Sequence, residues 1–247
     1  MTESYNNFAQ FYDLFTDDVD YERYAAFFHT LMEKHKGKDG ILLDLACGTG
    51  TLSVLFSKLG YDVIGVDSSP AMLSEALQKS CNEGENILFL NQDMREIDLY
   101  GTINCCVCTL DSLNHLDSME DVRKTFSRVS LFMEKGGAFV FDVNTPYKHE
   151  KVLGDNSFIF EKDDTLCCWR NVTEGLKTDI TLDFFKMDED GLYERFTEEI
   201  TERAFPVEDI KKALAENKFR ILKIYNENFE EICDFNCERL IFAVEKE

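Results

Sequence analysis

Lysine and arginine are scarce in this chain. They number 26 against 48 aspartates and glutamates, a formal charge of −22. No run of them is long enough to form a basic patch. Nucleic-acid binding draws its affinity from cations set against phosphates, so a nucleic-acid surface supplied by this chain alone is excluded. We read the acidity first as a source of solubility and second as steering of substrate. Long apolar runs are missing too, and none would span a bilayer. The first fifteen residues, "MTESYNNFAQFYDLF", hold no basic region ahead of an apolar block, so no secretory signal is expected. Without export, the nine cysteines read as reduced thiols and the expected location is cytoplasmic. Low-complexity tracts and internal repeats are absent. What remains is 247 residues, 44% of them hydrophobic, enough to bury a full core. That size suits one α/β domain with an insertion, or two small domains.

The hydrophobic pattern alternates in period. Val19 to Lys36 carries Tyr21, Tyr24, Ala25, Phe28, Leu31, Met32 and His35 at helical spacing, with Asp20 as N-cap and Gly37 as stop. "ILLDLA" then predicts a buried strand and "TLSVLFSKL" a helix ending at Gly60. "DVIGVD" is a second strand, after which Ser69 caps a helix with Pro70 at its first position, where a missing N–H costs nothing. "ILFLNQD" and "INCCVCTL" are strands three and four. Asp117 and Glu120 look like a capping pair for a helix through Met133, and "AFVFDVN" is strand five. Apolar strands separated by amphipathic helices predict a parallel sheet covered on both faces. After Asn144 the pattern turns to antiparallel strands with short polar turns such as "DEDG". A helix at "VEDIKKALAENKF" and two strands, "RILKIYN" and "RLIFAVE", close the chain. The expected division is an N-terminal helical cap at 1–37, a cofactor-binding core at 38–150, an antiparallel β insertion over the acceptor site at 151–205, and a return to the core sheet at 206–247.

Ligands of open parallel sheets bind beyond the carboxyl ends of the strands. Strand one ends near Asp44, and Gly48 and Gly50 follow in the turn, where glycine admits close backbone approach. A dinucleotide fingerprint needs a third small glycine-like residue where Ser53 stands, and a carboxylate beside a pyrophosphate is repulsive. A phosphate loop fails as well, because no Lys-Ser or Lys-Thr pair follows the glycines. A ligand with an ammonium and no phosphate reverses the sign. S-adenosylmethionine is such a ligand, carrying an ammonium, a sulfonium, a ribose and an adenine. Asp67 ends strand two, 23 residues beyond Asp44, where a carboxylate accepts ribose hydroxyl protons. Asp93, at the end of strand three, faces the adenine amino group, and Met94 offers the ring a soft apolar surface. Leu110 and Asp111 end strand four, beside the reactive methyl. Each acid taken singly reads equally well as a turn or cap residue. Three of them at three successive strand ends, with a glycine turn at the first, form a specific constellation.

"LLDLACGTG", "VIGVDSSPAML", "NQDMREI" and "CTLDSLNHL", in that order and spacing, resemble the class I S-adenosylmethionine-dependent methyltransferases. The resemblance implies a Rossmann-like, mostly parallel sheet of seven strands with helices on both faces and the last strand antiparallel. It implies Asp44, Ala46 and Gly48 around the methionine moiety, Asp67 with Ser68 at the ribose, Asp93 and Met94 at the adenine, and Leu110 at the methyl-donor site. The leading "YNNFAQFYD" is similar to that of small-molecule members, which implies that Tyr12, and Tyr5 with it, close over the cofactor.

A sulfonium methyl is already electrophilic, so in-line displacement needs mainly a well-placed nucleophile. If the acceptor is an amine or hydroxyl, a base must take its proton. His115 is the candidate, with a helix-capping or packing role as its ordinary alternative. Asp111, Asn114 and Asn144 are candidates to orient the acceptor. The insertion offers Phe158, Phe160, Trp169, Phe184, Phe185 and Phe196 as walls, and many acids. Acids that point inward select a cationic or neutral acceptor. The signatures of base-methylating enzymes are absent. Cys105 and Cys108 have C-x-x-C spacing, yet positions three apart in a strand face opposite sides, so no metal is expected. The functional expectation is methyl transfer to a small-molecule acceptor. Rivals are a non-catalytic S-adenosylmethionine-binding regulator, an RNA methyltransferase relying on a partner subunit for its basic surface, and a nicotinamide oxidoreductase that Asp44 and Ser53 disfavour.

Overall fold

A computed structural model describes residues 8–33, 40–232 and 236–247. The predicted Gly37 stop and the cofactor-closing role of Tyr5 lie outside the described residues. The chain opens with α1 (Ala9–Phe15) and α2 (Tyr21–Glu33), the latter capped by Asp20, whose Oδ1 accepts the Arg23 N–H at 3.0 Å. There follow β1 (Ile41–Leu45), α3 (Thr51–Lys58), β2 (Asp62–Asp67), α4 (Pro70–Glu83), β3 (Leu88–Asn91) and β4 (Ile103–Cys108). A 3₁₀ turn (Ser112–His115), α5 (Met119–Phe132) and β5 (Met133–Asn144) complete the first half. The cap of α5 is Ser118 rather than Asp117. The Ser118 Oγ accepts the Asp121 N–H at 3.2 Å and donates to the Asp121 carboxylate at 2.7 Å, a reciprocal pair displaced one residue from the expected one.

β1 to β5 pair in parallel, and β11 (Arg239–Lys246) runs antiparallel between β5 and β10 (Phe219–Asn226). The order is β10-β11-β5-β4-β1-β2-β3, a seven-stranded sheet with its last strand reversed, as the resemblance implies. Each face of the sheet buries its own cluster. One holds Phe126, Phe139, Phe141 and Phe242 with Ile210 and Leu214 of α6 (Val207–Glu216); the other holds Phe28 and Met32 of α2 with Phe56 of α3. Full burial of side chains this size stabilises by about 1.5–3 kcal/mol each. Cys105 lies in the second cluster and Cys106 and Cys108 in the first, so alternation puts the C-x-x-C pair on opposite faces.

A short π-type turn (Lys148–Leu153), which the sequence pattern does not announce, leads into β6 (Ser157–Lys162), β7 (Thr165–Glu174), β8 (Lys177–Met187) and β9 (Tyr193–Arg203). These form a separate four-stranded antiparallel sheet, β6-β7-β8-β9. α1 packs on it: Phe184 stacks on Phe11 at 4.7 Å and on Phe8 at 5.6 Å. Phe184 is thus core and not a wall of the acceptor site, while Phe158, Phe160 and Trp169 pack on one another. Among the described residues no helix is long and apolar enough to cross a membrane.

Candidate active site

The chain leaves β1 through left-handed backbone at Ala46 (φ 59°), Gly48 (54°) and Gly50 (74°). At Gly50 a side chain is barred, because a Cβ would stand 2.8 Å from that of Ala76 and push α4 away from the turn. At Gly48 the missing Cβ leaves open space beside Asp67. Asp67 is fixed from two sides: its Oδ2 accepts the Gly48 N–H at 2.9 Å and its Oδ1 the Ser69 N–H at 2.8 Å. Ser69 in turn caps α4 through the Met72 N–H. Asp44 is 1% exposed and accepts a 2.5 Å hydrogen bond from Ser53. The residue that breaks the dinucleotide pattern therefore anchors the acid of strand one. Burial pushes the Asp44 carboxyl up to about 7 despite that bond, and burial raises Asp67 also.

Beyond the ends of β1 to β3 lies a cavity of about 250 Å³. Ala46, Asp67, Ser68, Asp93, Met94 and His115 line it, and Ile200 and Thr201 of β9 close it from the antiparallel sheet. Asp44 and Gly48 sit behind this lining. Asp93 lies two residues past β3 instead of at its last residue, because the ladder with β2 stops at Asn91. Arg95 donates to both of its oxygens, at 2.9 Å from Nε and 2.5 Å from the terminal nitrogen, and holds the carboxyl below its ordinary range.

β4 ends at Cys108, so Leu110 and Asp111 also fall beyond their strand. Both are left-handed, φ 54° and 56°, at a cost of roughly 1–2 kcal/mol per residue. What offsets that cost is Asp142, fully buried on β5, which accepts both N–H groups at 2.8 Å. Arg239, at the start of β11, pairs with Asp142 and donates to Asp111 at 2.8 Å. Arg239 and neighbouring Lys148 hold the Asp111 carboxyl well below the usual range against its burial. Burial holds the Tyr12 phenol well above its ordinary range, and its ring packs edge-on to Phe8 of the same N-terminal segment at 5.3 Å. Asn114 is fully buried and spends its amide on backbone, donating to the Asn144 and Arg203 carbonyls and accepting the Asn144 N–H. It ties the 3₁₀ turn to β5 and β9 and does not face an acceptor, contrary to expectation.

Asp142 and Arg239 are absent from the sequence reading, and Glu202 enters it only as one member of the acidic run of the insertion. A charge inside the apolar "AFVFDVN" was the available signal for the first. On β9 the residues facing inward are Glu198, Ile200 and Glu202. Glu202 reaches the end of β5, where Asn144 Nδ2 donates to it at 3.2 Å. His115, Asp111 and Glu202 bring polar atoms within 4.8 Å of one another. Two other acids of this sheet are spent differently: Asp183 accepts from Arg170, Arg195 and Thr197, and Asp188 caps its own turn.

A seven-stranded sheet of this order, with carboxylates at the ends of its first strands around one cavity, defines a class I nucleoside-cofactor fold. A family model described as a methyltransferase domain matches residues 42–137. A Bacillus subtilis (strain 168) protein named as a methyltransferase, YqeM, is 33% identical over 98% of this chain and 97% of its own. The crystal structure of an S-adenosylmethionine-dependent methyltransferase from Clostridium acetobutylicum ATCC 824 is 34% identical, covers 98% of both chains and superposes with a TM-score of 0.89. A glycine/sarcosine N-methyltransferase of Parasynechococcus marenigrum (strain WH8102) is 26% identical over 60% of this chain and 52% of its own. The chain belongs to the class I S-adenosylmethionine-dependent methyltransferases, and S-adenosylmethionine is its methyl donor.

Proposed function

We propose that the chain methylates a small-molecule acceptor by direct in-line displacement, and that the nucleophile is an amine. The observation that carries this reading is the cavity beyond β1 to β3, walled by Asp67, Asp93 and Met94 and closed by β9. An adenosyl sulfonium suits those walls: acids stand at the strand ends, the one arginine in the lining is spent on Asp93, and Gly48 leaves room beside Asp67. Asp67 holds the ribose, with its carboxylate already aimed by two backbone N–H groups. Asp93 and Met94 take the adenine. Asp44, Ala46 and Gly48 surround the amino-acid end, and Leu110 and Tyr12 stand at the methyl. The bound donor supplies an electrophilic methyl, so the protein's part is to place the acceptor on the S–CH₃ axis and exclude water. An enclosed, acidic acceptor side suits a small cationic or neutral molecule, and the relative acting on glycine and sarcosine methylates nitrogen by its name.

Calorimetry with S-adenosylhomocysteine tests the donor half. Asp67→Ala should weaken binding by roughly 1–3 kcal/mol, the scale for unpaired buried hydrogen-bond partners; unchanged affinity refutes the ribose role. Thioether formation from S-adenosylmethionine over a panel of metabolites tests the transfer. Tight binding with no transfer to any of them would make the protein a binding module.

A further inference from the structure

The acceptor side contains a buried shortage of one proton. Thr173 donates its hydroxyl proton to the Gly154 carbonyl at 2.7 Å. The 3.0 Å contact between Thr173 and Thr178 must then be donated by Thr178. Thr178 has no second proton, so in its 2.9 Å contact with His149 the Nδ1–H of the imidazole is the donor. That fixes the tautomer and leaves Nε2 of His149 as a bare acceptor. The ring is fully buried, and this Nε2 has no hydrogen-bond partner among the described residues. It faces Oε2 of Glu202, another acceptor, at 3.7 Å. Two lone pairs confront each other between buried side chains, at a cost of roughly 1–3 kcal/mol for an unsatisfied buried group. Burial pushes His149 down to about 4, so the imidazole does not supply the missing proton by itself.

The charges around the pair indicate what is missing. Among the described residues Arg239 ion-pairs with both Asp111 and Asp142, and the ion-pairing group beside Glu202 is His149. With His149 neutral, Glu202 has no ion-pairing cation among the described residues. A divalent metal would overshoot that one charge; a protonated amine meets it and also brings the N–H donors that Glu202 and His149 lack.

We propose that Glu202, on β9, seats the acceptor's protonated nitrogen together with His149 Nε2 and takes its proton. This rests on the proposed amine methylation and names the residues that carry its acceptor side. The ammonium passes one proton to the Glu202 carboxylate. The freed lone pair forms the N–C bond, the C–S bond breaks with its electrons going to sulfur, and the positive charge moves from sulfur to the methylated nitrogen. The proton on Glu202 leaves to solvent by way of His115, which lines the cavity and has a ring nitrogen within 4.8 Å of a Glu202 oxygen. Because Glu202 belongs to the antiparallel sheet, the acceptor seat is complete only when that sheet covers the core.

The test pairs amines with matched alcohols: ethanolamine, sarcosine and glucosamine against ethylene glycol, glycolate and glucose. Thioether formation from S-adenosylmethionine is the readout, and S-adenosylhomocysteine affinity is the control. Turnover of at least one amine and of no matched alcohol is expected. Glu202→Gln should lower the turnover about 100-fold, the scale for loss of a general base, with donor affinity and melting temperature unchanged. Turnover of an alcohol, an equal rate in Glu202→Gln, or no turnover of any amine by a protein that binds the donor product overturns the proposal. Failure to bind S-adenosylhomocysteine overturns the donor reading instead. Manganese(II) titration followed by electron paramagnetic resonance separates the metal alternative: tight binding that Glu202→Gln abolishes reassigns the pocket to a divalent cation.

Discussion

Asp67 is held by backbone N–H groups two and nineteen residues away, whereas Asp111 is held by an arginine 128 residues away. The same contrast runs through both sides of the cavity. On the proposed donor side Ser53 reaches Asp44 across nine residues. On the proposed acceptor side Asp142 reaches Leu110 across 32 and Glu202 reaches Asn144 across 58. The donor side is therefore built by turns that form within one β-α-β unit. The acceptor side exists only after β11 has inserted beside β5 and the antiparallel sheet has closed. The first is suited to a ligand common to a family, the second to an acceptor that differs between members.

Removing Arg239 is the strongest way to break that contrast. Arg239→Met leaves Asp111 and Asp142 buried without their cation, which should destabilise the fold by about 3–5 kcal/mol. Chemical denaturation measures it, and loss under 1 kcal/mol would show that solvent or Lys148 already compensates these acids. A smaller effect tests the locally built side. Gly50→Ala forces a side chain into a left-handed turn and against Ala76, so a loss of about 1–3 kcal/mol is expected, with weaker binding of S-adenosylhomocysteine. Wild-type affinity in Gly50→Ala would mean that α3 and α4 give way without moving the donor turn.

This difference in range also governs what the sequence discloses. The strand–turn–helix units are legible because hydrophobic period, glycines and caps all act within a dozen residues, and the order of Asp44, Asp67 and Asp93 follows from them. Strand ends were misjudged by two residues at β3 and β4, since a ladder stops where its neighbour stops, a fact carried by another segment. Arg239 read as the first residue of an ordinary terminal strand, and Glu202 as one acid in a solvated run. Only the sheet's alternation, which turns Glu198, Ile200 and Glu202 inward together, separates the buried acids from exposed neighbours such as Glu194 and Glu199. His149 gave no signal at all, because its tautomer depends on two threonines of the antiparallel sheet.

The mildest perturbation, pH, sharpens the comparison furthest. Burial raises the Asp44 carboxyl to about 7, with the charge of Asp67 adding to the rise. If Asp44 faces the donor's ammonium, binding favours its ionised form, so below pH 7 the ligand must expel a proton. Affinity for S-adenosylhomocysteine should then climb with pH and level off above about 8. Between pH 6 and 8 the ionised fraction goes from roughly one-tenth to nine-tenths, which amounts to about tenfold in affinity, or ~1.4 kcal/mol. Calorimetry in buffers of different ionisation enthalpy would detect the released proton directly, and Asp44→Asn should abolish both effects. Asp111 contributes no slope, because Arg239 keeps it ionised throughout this range. A flat profile for wild type would place Asp44 outside the ammonium's reach, leaving the backbone of this turn, at Ala46 and Gly48, to meet the amino-acid end. A slope that survives in Asp44→Asn would move the titrating group to Asp67, whose burial raises it in the same direction.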